Sequence, residues 1–227
     1  MTQPRPSERP FCHVDTWVFD LDNTLYSARH NLFELIDRKI GEFIAAALRL
    51  DSAAARRVQK SYFSEYGTTL RGLMLNHGID PTAFLDFVHQ IDVSRVPPSP
   101  ELDVALERLD GRKLIFTNAS ARHAEKVIAR LGVAHHFDAI FDIRDAGYIA
   151  KPDPASYAAL VERHAVDPRA AAMIDDIARN LAPAAELGMV TVWVRTGSTW
   201  GQEGSDGDHI DVVVDDLVDW LTEIVDA

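Results

Sequence analysis

Two aspartates separated by one residue end the apolar run Trp17-Val18-Phe19-Asp20-Leu21-Asp22-Asn23-Thr24-Leu25. In a continuing strand, positions i and i+2 face the same side. Where a chain leaves a sheet, both carboxylates can turn toward a site at its edge. Taken alone, the pair fits an Asx-turn or a helix N-cap equally well, because Asp and Asn gather at turns. A calcium loop fits poorly. An EF-hand requires an acidic or amide residue at its fifth position and Gly at its sixth, where Thr24 and Leu25 stand.

Three later segments repeat the pattern of a strand running out into polar chemistry. Lys113-Leu114-Ile115-Phe116-Thr117-Asn118-Ala119-Ser120 ends in a hydroxyl and an amide and runs straight into a helix. The backbone N–H groups at that helix start suit a phosphate, although simple capping would also account for the residues. Gly147-Tyr148-Ile149-Ala150-Lys151-Pro152 sets a lysine before another helix start, and by itself a lone surface lysine is the default reading. Ala171-Ala172-Met173-Ile174-Asp175-Asp176 ends in adjacent acids, which elsewhere serve as an N-cap with a favourable first-turn charge.

If one sheet edge gathers these ends, Asp20, Asp22, Asp175 and Asp176 share a pocket. Two like charges ~5 Å apart at an effective dielectric of ~20 repel by roughly 3 kcal/mol. Lys151 alone does not offset four such acids. A divalent cation with oxygen ligands does, and Mg²⁺ suits a site with few carboxylates plus phosphate and water. Competing metal signatures are missing: there is no H-E-x-x-H and no cysteine cluster, and His135-His136 are sequence neighbours that need not face one site.

The elements that must position these groups alternate in texture. Near-continuous apolar runs at Trp17–Phe19, Leu114–Phe116, Ala139–Phe141, Ala172–Ile174, Thr191–Val194 and Val212–Val214 read as strands covered on both faces. Helices are expected over Ser120–Leu131, from the Asp153-Pro154 start to about His164, and over Ala178–Leu187 with Gly188 as C-cap. Alternation of this kind predicts an α/β fold with a doubly wound, Rossmann-like parallel sheet. Residues 30–96 differ. Leu32, Leu35, Ile36, Ile40, Phe43, Ile44 and Leu48 form one helical stripe, and further helices are expected around 52–66, 69–77 and 81–90. Val96-Pro97-Pro98-Ser99-Pro100 reads as a stiff extended connector. The expected organisation is therefore a catalytic core of residues 1–29 and 97–227, with residues 30–96 inserted as an all-helical cap over the carboxyl ends of the strands, where open α/β sheets bind ligands. Gly197 to Gly207, with four glycines, reads as a mobile surface loop.

Composition narrows the functional classes. The 227 residues carry 23 Lys and Arg against 35 Asp and Glu, a net charge of −12. Nine of the acids fall in residues 202–227, which contain no Lys or Arg, so the remainder is nearly neutral. No basic stripe exists for a nucleic-acid polymer, and a small anion is not repelled. No uncharged apolar run approaches the ~18 residues that a membrane helix needs. Met1 to Pro10 has three prolines and no apolar stretch, which argues against a secretory signal. The single Cys12 cannot form an internal disulfide, which suits a cytoplasmic location.

In this order, Asp-x-Asp-x-Thr, Thr-Asn, Lys-Pro and Asp-Asp, the chain resembles the haloacid dehalogenase superfamily of phosphohydrolases over residues 15 to about 195. Finer runs are similar to its pyrimidine 5′-nucleotidase subfamily: Asp22-Asn23-Thr24-Leu25-Tyr26, Tyr66-Gly67-Thr68-Thr69-Leu70-Arg71-Gly72-Leu73 and Phe116-Thr117-Asn118-Ala119-Ser120. One departure is Ile177, where many relatives place Ser. The resemblance implies phosphoryl transfer through an aspartyl-phosphate. Asp20 would be nucleophile and Mg²⁺ ligand. Asp22 would act as acid and then base, ligating the ion through its carbonyl and kept protonated by its anionic neighbour. Thr117, the Asn118 backbone and Lys151 would stabilise the phosphoryl oxygens. Asp176, directly, and Asp175, directly or through water, would complete the metal site. Tyr26, Arg71 and Tyr148 are expected leaving-group contacts for a small phosphorylated substrate, with a nucleotide first. A sugar phosphate or phosphoglycolate is the enzymatic alternative, and a phosphoacceptor without turnover is the alternative of another class. A mutase shares the same intermediate, whereas a dehalogenase has no need of Asp22.

Overall fold

The computed structural model describes residues 11–199 and 201–226, so the reading of Met1 to Pro10 lies outside the described residues. Six strands form one sheet: β1 (Thr16–Phe19), β2 (Arg112–Phe116), β3 (Ala139–Phe141), β4 (Ala171–Asp175), β5 (Val190–Val194) and β6 (Val212–Val214). Their order is β3-β2-β1-β4-β5-β6, and every neighbouring pair is parallel. The chain winds outward from β1 through β2 to β3, then crosses to β4 on the other side of β1. The switch point thus lies between the carboxyl ends of β1 and β4. Phe19 pairs with Ile174, which brings Asp20, the next residue, level with Asp175.

Side-chain alternation explains the apolar runs. Trp17, Phe19, Ile115, Ile174 and Val192 face one side, against α5 (Pro100–Arg108), α6 (Ala121–Leu131) and α9 (Leu217–Asp226). Val18, Leu114, Phe116 and Met173 face the other, against Tyr157 and Leu160 of α7 (Pro154–His164) and Ala184 of α8 (Ala182–Leu187). With both faces covered, no position in the central strands is left for water, and the alternation of a half-buried sheet is lost.

Between β1 and β2 the chain makes four helices: α1 (Leu32–Leu48), α2 (Ser52–Tyr66), α3 (Thr69–His77) and α4 (Pro81–Val88). Asp51, Thr68 and Asp80 cap the last three through side-chain oxygens that accept from backbone N–H groups. These helices bury Ile44, Ala55, Leu70, Leu73, Phe84, Leu85 and Val88 together, joined by Ile143 and Ala150 from the segment leading to Lys151. The helical block therefore rests on the loop that carries the lysine.

Several sequence expectations shift locally. α4 ends at Val88, and His89 is its C-cap. The stretch 178–187 is a 3₁₀ turn, Ala178–Leu181, followed by α8, because Pro183 lacks an N–H and fits only the first turn of an α-helix. The connector ends earlier than its prolines suggest: Pro100 opens α5, a helix the sequence reading did not separate. Among residues 201–207, the expected surface loop is tied down. Gly201 and Glu203 carbonyls accept from the Ala178 and Arg179 N–H groups at 3.0 and 3.1 Å, and Arg179 pairs with Glu203 at 2.8 Å. Among the described residues, no helix is long and apolar enough to cross a membrane.

Candidate active site

The carboxyl ends of β1 and β4 bring three acids together. Oxygens of Asp20, Asp175 and Asp176 lie within 4.8 Å of one another, all on buried residues. Lys151 Nζ joins two of them, donating to Asp20 Oδ1 at 2.8 Å and Asp175 Oδ2 at 2.7 Å, and also to the Phe116 carbonyl at 2.9 Å. Thr24 donates to the other Asp20 oxygen at 2.9 Å. Asp175 is further held by Asn180 Nδ2 at 3.0 and 3.1 Å and by the Ile177 N–H at 2.9 Å. Asp176 is the exception. Its Oδ2 is buried with no hydrogen-bond partner.

One ammonium among three buried carboxylates leaves an excess of negative charge. Burial, countered by Lys151 and reinforced by Asp175, pushes the Asp20 carboxyl up to about 7. Burial, followed by the charges of Asp20 and Asp175, raises Asp176 well above its ordinary value. Attraction to Asp175 and Asp20 outweighs the effect of burial on Lys151 and holds its ammonium firmly protonated. The orphaned Asp176 oxygen beside two further hard oxygen donors fits a divalent cation such as Mg²⁺, because an ion supplies the missing partner and the missing positive charge.

Of the four acids expected to share a pocket, three form this close cluster, and Asp22 lines the same cavity outside it. Leu25 N–H closes a turn onto the Leu21 carbonyl at 3.1 Å, with Asn23 at φ +63°, a left-handed conformation that Asn tolerates. This turn separates Asp22 from the trio. Asp22 Oδ1 instead accepts from the Tyr26 hydroxyl at 2.5 Å and lies 3.0 Å from His123 Nε2. Burial pushes the Asp22 carboxyl up, but the charge and hydrogen bond of His123 and the bond from Tyr26 outweigh it and hold the group below its ordinary value. The expected upward shift from an anionic neighbour is therefore reversed by a histidine that the sequence reading did not assign.

Thr117 is buried, and its Oγ accepts from the Ala119 N–H at 3.0 Å. The Asn118 side chain locks the lysine loop: its Oδ1 accepts from the Lys151 N–H at 2.9 Å, and its Nδ2 donates to the Lys151 carbonyl at 3.3 Å. The Asn118 side chain thus serves Lys151 across 33 positions of sequence.

Asp20, Asp22, Thr117, Asn118, Lys151 and Asp176 line one cavity of about 260 Å³. Its remaining wall comes largely from the helical block, with Phe33, Ile36, Ile40, Phe63, Leu70, Phe84 and Val88, and with Gln59, Lys60, Thr68 and Thr69 as polar members. Ile177 also lines it, so the departure from the family pattern replaces a hydroxyl with apolar wall. Tyr26, Arg71 and Tyr148, the expected leaving-group contacts, are not among the lining residues. Tyr26 is engaged with Asp22, and Tyr148 packs on the apolar cluster of the helical block. Arg71 lies on α3. Sequence reasoning missed His89, His123, Asn180 and the phenylalanines of the wall. The only available signal for His123 was its place on the apolar face of α6, four residues before Val127. His135 and His136 also depart from expectation, since both reach Asp103 Oδ1, at 3.3 and 2.8 Å.

Comparison with known proteins agrees with this geometry. In an alignment 207 positions long that covers 83% of this chain, it is 30% identical to "Phosphate metabolism protein 8" of Saccharomyces cerevisiae, of which it spans 62%. It is 27% identical to "Glyceraldehyde 3-phosphate phosphatase" of Methanocaldococcus jannaschii, covering 92% of this chain and 95% of that one. Two solved structures share the fold. A HAD phosphatase from Thermococcus onnurineus has a TM-score of 0.62 at 18% identity, covering 93% and 98% of the two chains. An L-2-haloacid dehalogenase from Xanthobacter autotrophicus has a TM-score of 0.55 at 19% identity and the same coverage. Residues 14–188, well over half of the sequence, match the haloacid dehalogenase-like hydrolases, and the chain belongs to that family.

Proposed function

We propose that this protein is a Mg²⁺-dependent phosphomonoester hydrolase that forms an aspartyl-phosphate on Asp20, with pyrimidine nucleoside 5′-monophosphates as its preferred substrates. The observation that carries the reading is the buried trio of acids, bridged by Lys151, on a cavity whose opposite wall is helical and apolar. A phosphatase name on a relative that matches nearly end to end supports the reaction class.

The ion would be held by Asp20 and Asp176, with the Asp22 carbonyl and Asp175 completing the set, and would supply positive charge to the phosphoryl oxygens and the nucleophile. The chain's own groups do the rest. Lys151 and Thr24 fix both oxygens of Asp20, so that little reorganisation precedes attack on phosphorus. Lys151 and Thr117 stabilise charge on the transferring group. Asp22 gives a proton to the departing oxygen and later takes one from the attacking water. Its resting carboxylate is ready for the second task. Binding an anionic phosphate beside it raises its proton affinity for the first.

Helices of residues 30–96 act as the cap domain over the core of residues 1–29 and 97–227, excluding water and sorting leaving groups. Phe33, Phe63 and Phe84 offer flat apolar surface to a nucleobase, with the Thr68 hydroxyl able to meet its polar edge. A polyhydroxylated sugar would leave more hydroxyls unmatched on that wall, which ranks sugar phosphates second. Exposed, unpaired Cys12 accords with a cytoplasmic location. The test is phosphate release from UMP, CMP, TMP, purine nucleotides and phosphosugars, with Mg²⁺ and with chelator. Turnover that requires Mg²⁺ and ranks pyrimidine nucleotides first is expected. Phosphosugars ranking first would overturn the substrate assignment, and metal-independent turnover would overturn the mechanism.

A further inference from the structure

We propose that His123 is a positioning residue for Asp22: together with Tyr26 it fixes one oxygen of the carboxylate and leaves the other for proton transfer. The inference rests on the reading of Asp22 as the group that moves protons in the hydrolase reaction above.

Both donors converge on Oδ1, Tyr26 at 2.5 Å and His123 Nε2 at 3.0 Å, and no described residue donates to Oδ2. A carboxylate turns easily about its last torsion, which has a broad profile. Two donors from different elements remove that freedom, and they do so on the oxygen that is not needed for chemistry. His123 itself is held from two sides. It lies fully buried in the first turn of α6, whose N-cap is Ser120. The ring of His89, from the end of α4, stacks on it with centroids 4.6 Å apart and planes 17° from parallel. His89 Nδ1 in turn lies 2.9 Å from Ser120 Oγ. Core and cap thus meet on one imidazole, and that imidazole touches the acid.

A fully buried histidine at an otherwise apolar helix face is costly unless its polar atoms are used. Here Nδ1 has no partner. The single bond that the His123 ring makes, to Asp22, is therefore what its polarity serves. The chemistry assigned to Asp22 balances without a proton from His123. Asp20 attacks phosphorus, the ester P–O bond breaks, and Asp22 hands its proton to the departing oxygen. Water then attacks the acyl phosphate, Asp22 takes its proton, and phosphate leaves with Asp20 restored. His123 acts as a fixed donor throughout and is a positioning residue.

The experiment compares kcat/KM, which reports steps up to departure of the leaving group, on two esters. One is p-nitrophenyl phosphate, whose leaving oxygen needs little protonation. The other is the alkyl phosphate that wild-type protein hydrolyses fastest in the substrate panel. His123→Leu is expected to lower kcat/KM on the alkyl ester about 100-fold and on p-nitrophenyl phosphate by less than about 5-fold. His123→Gln, which keeps a donor, is expected to recover part of the alkyl-ester loss. Tyr26→Phe removes the second donor, and it should show the same split to a smaller degree even where His123→Leu fails to fold. Equal losses on the two esters, or no recovery by His123→Gln, would reduce His123 to a packing residue and overturn the inference. Wild-type protein that releases phosphate from neither ester would instead overturn the hydrolase reading on which the inference stands.

Discussion

The sheet edge and the helical block face the same cavity with opposite chemistry. On the sheet side every acid of the trio but Asp176 is braced from several elements: Lys151 reaches Asp20, Asp175 and the Phe116 carbonyl, while Asn118 holds the lysine loop and Asn180 holds Asp175. On the helical side, Ile36, Ile40, Phe63, Phe84 and Val88 present apolar surface, and no described ion pair links that wall to the acid trio. Rigid polar geometry suits a reaction common to all substrates. An apolar wall distinguishes leaving groups by shape and area. On the proposed reading, the first region governs the rate for every ester and the second governs which ester is taken.

Substitutions on either side should separate along that line. The largest effect is expected from Asp176→Asn, which removes the acid with the unpartnered oxygen. Steady-state kinetics should show kcat falling about 100- to 1,000-fold for all substrates with their order kept. A changed order would blur the division. Phe63→Ala acts from the cap side, at a ring that also lies 5.4 Å from Arg179 Cζ. It should shift the ratio of kcat/KM between a pyrimidine nucleotide and a phosphosugar by about 10-fold, equivalent to ~1.4 kcal/mol. A uniform loss across the panel would place Phe63 outside substrate selection.

The smallest effect is at the seam between the two regions. Burial, and after it the charge of His123, pushes the His89 ring down to about 3. Folded protein then keeps His89 neutral while the unfolded chain takes up a proton below about 6.5. Stability from this residue is complete above that value and is lost as pH falls from 6.5 toward 3, by up to about 1.4 kcal/mol per pH unit. Thermal unfolding of His89→Asn should decline less between pH 7 and pH 5 than that of wild-type protein. Parallel declines would show that His89 does not contribute.

Legibility in the sequence followed the same division. Strand ends at Asp20, Thr117 and Asp175 were readable because buried parallel strands leave uninterrupted apolar runs that stop where the chemistry begins. Lys151 was readable beside a helix start. The separation of Asp22 from the trio was not, since it depends on a left-handed Asn23 and on a histidine 101 positions away. Cap residues resisted for a related reason. Helical periodicity shows that a stripe is buried, but Phe33 and Phe63 on the cavity wall look no different in sequence from Phe43 in the cap's own interior. Tyr26 and Tyr148 were aromatic and near motifs, yet the backbone turns them toward Asp22 and toward the cap's apolar cluster.

Calorimetric titration of Mg²⁺ into wild-type protein and into Asp176→Asn tests most directly whether the converging acids form an ion site. Wild-type protein is predicted to bind the ion, and the variant to bind it at least about 10-fold more weakly. Equal affinity in the two proteins, or no binding by the wild type, would contradict the assignment.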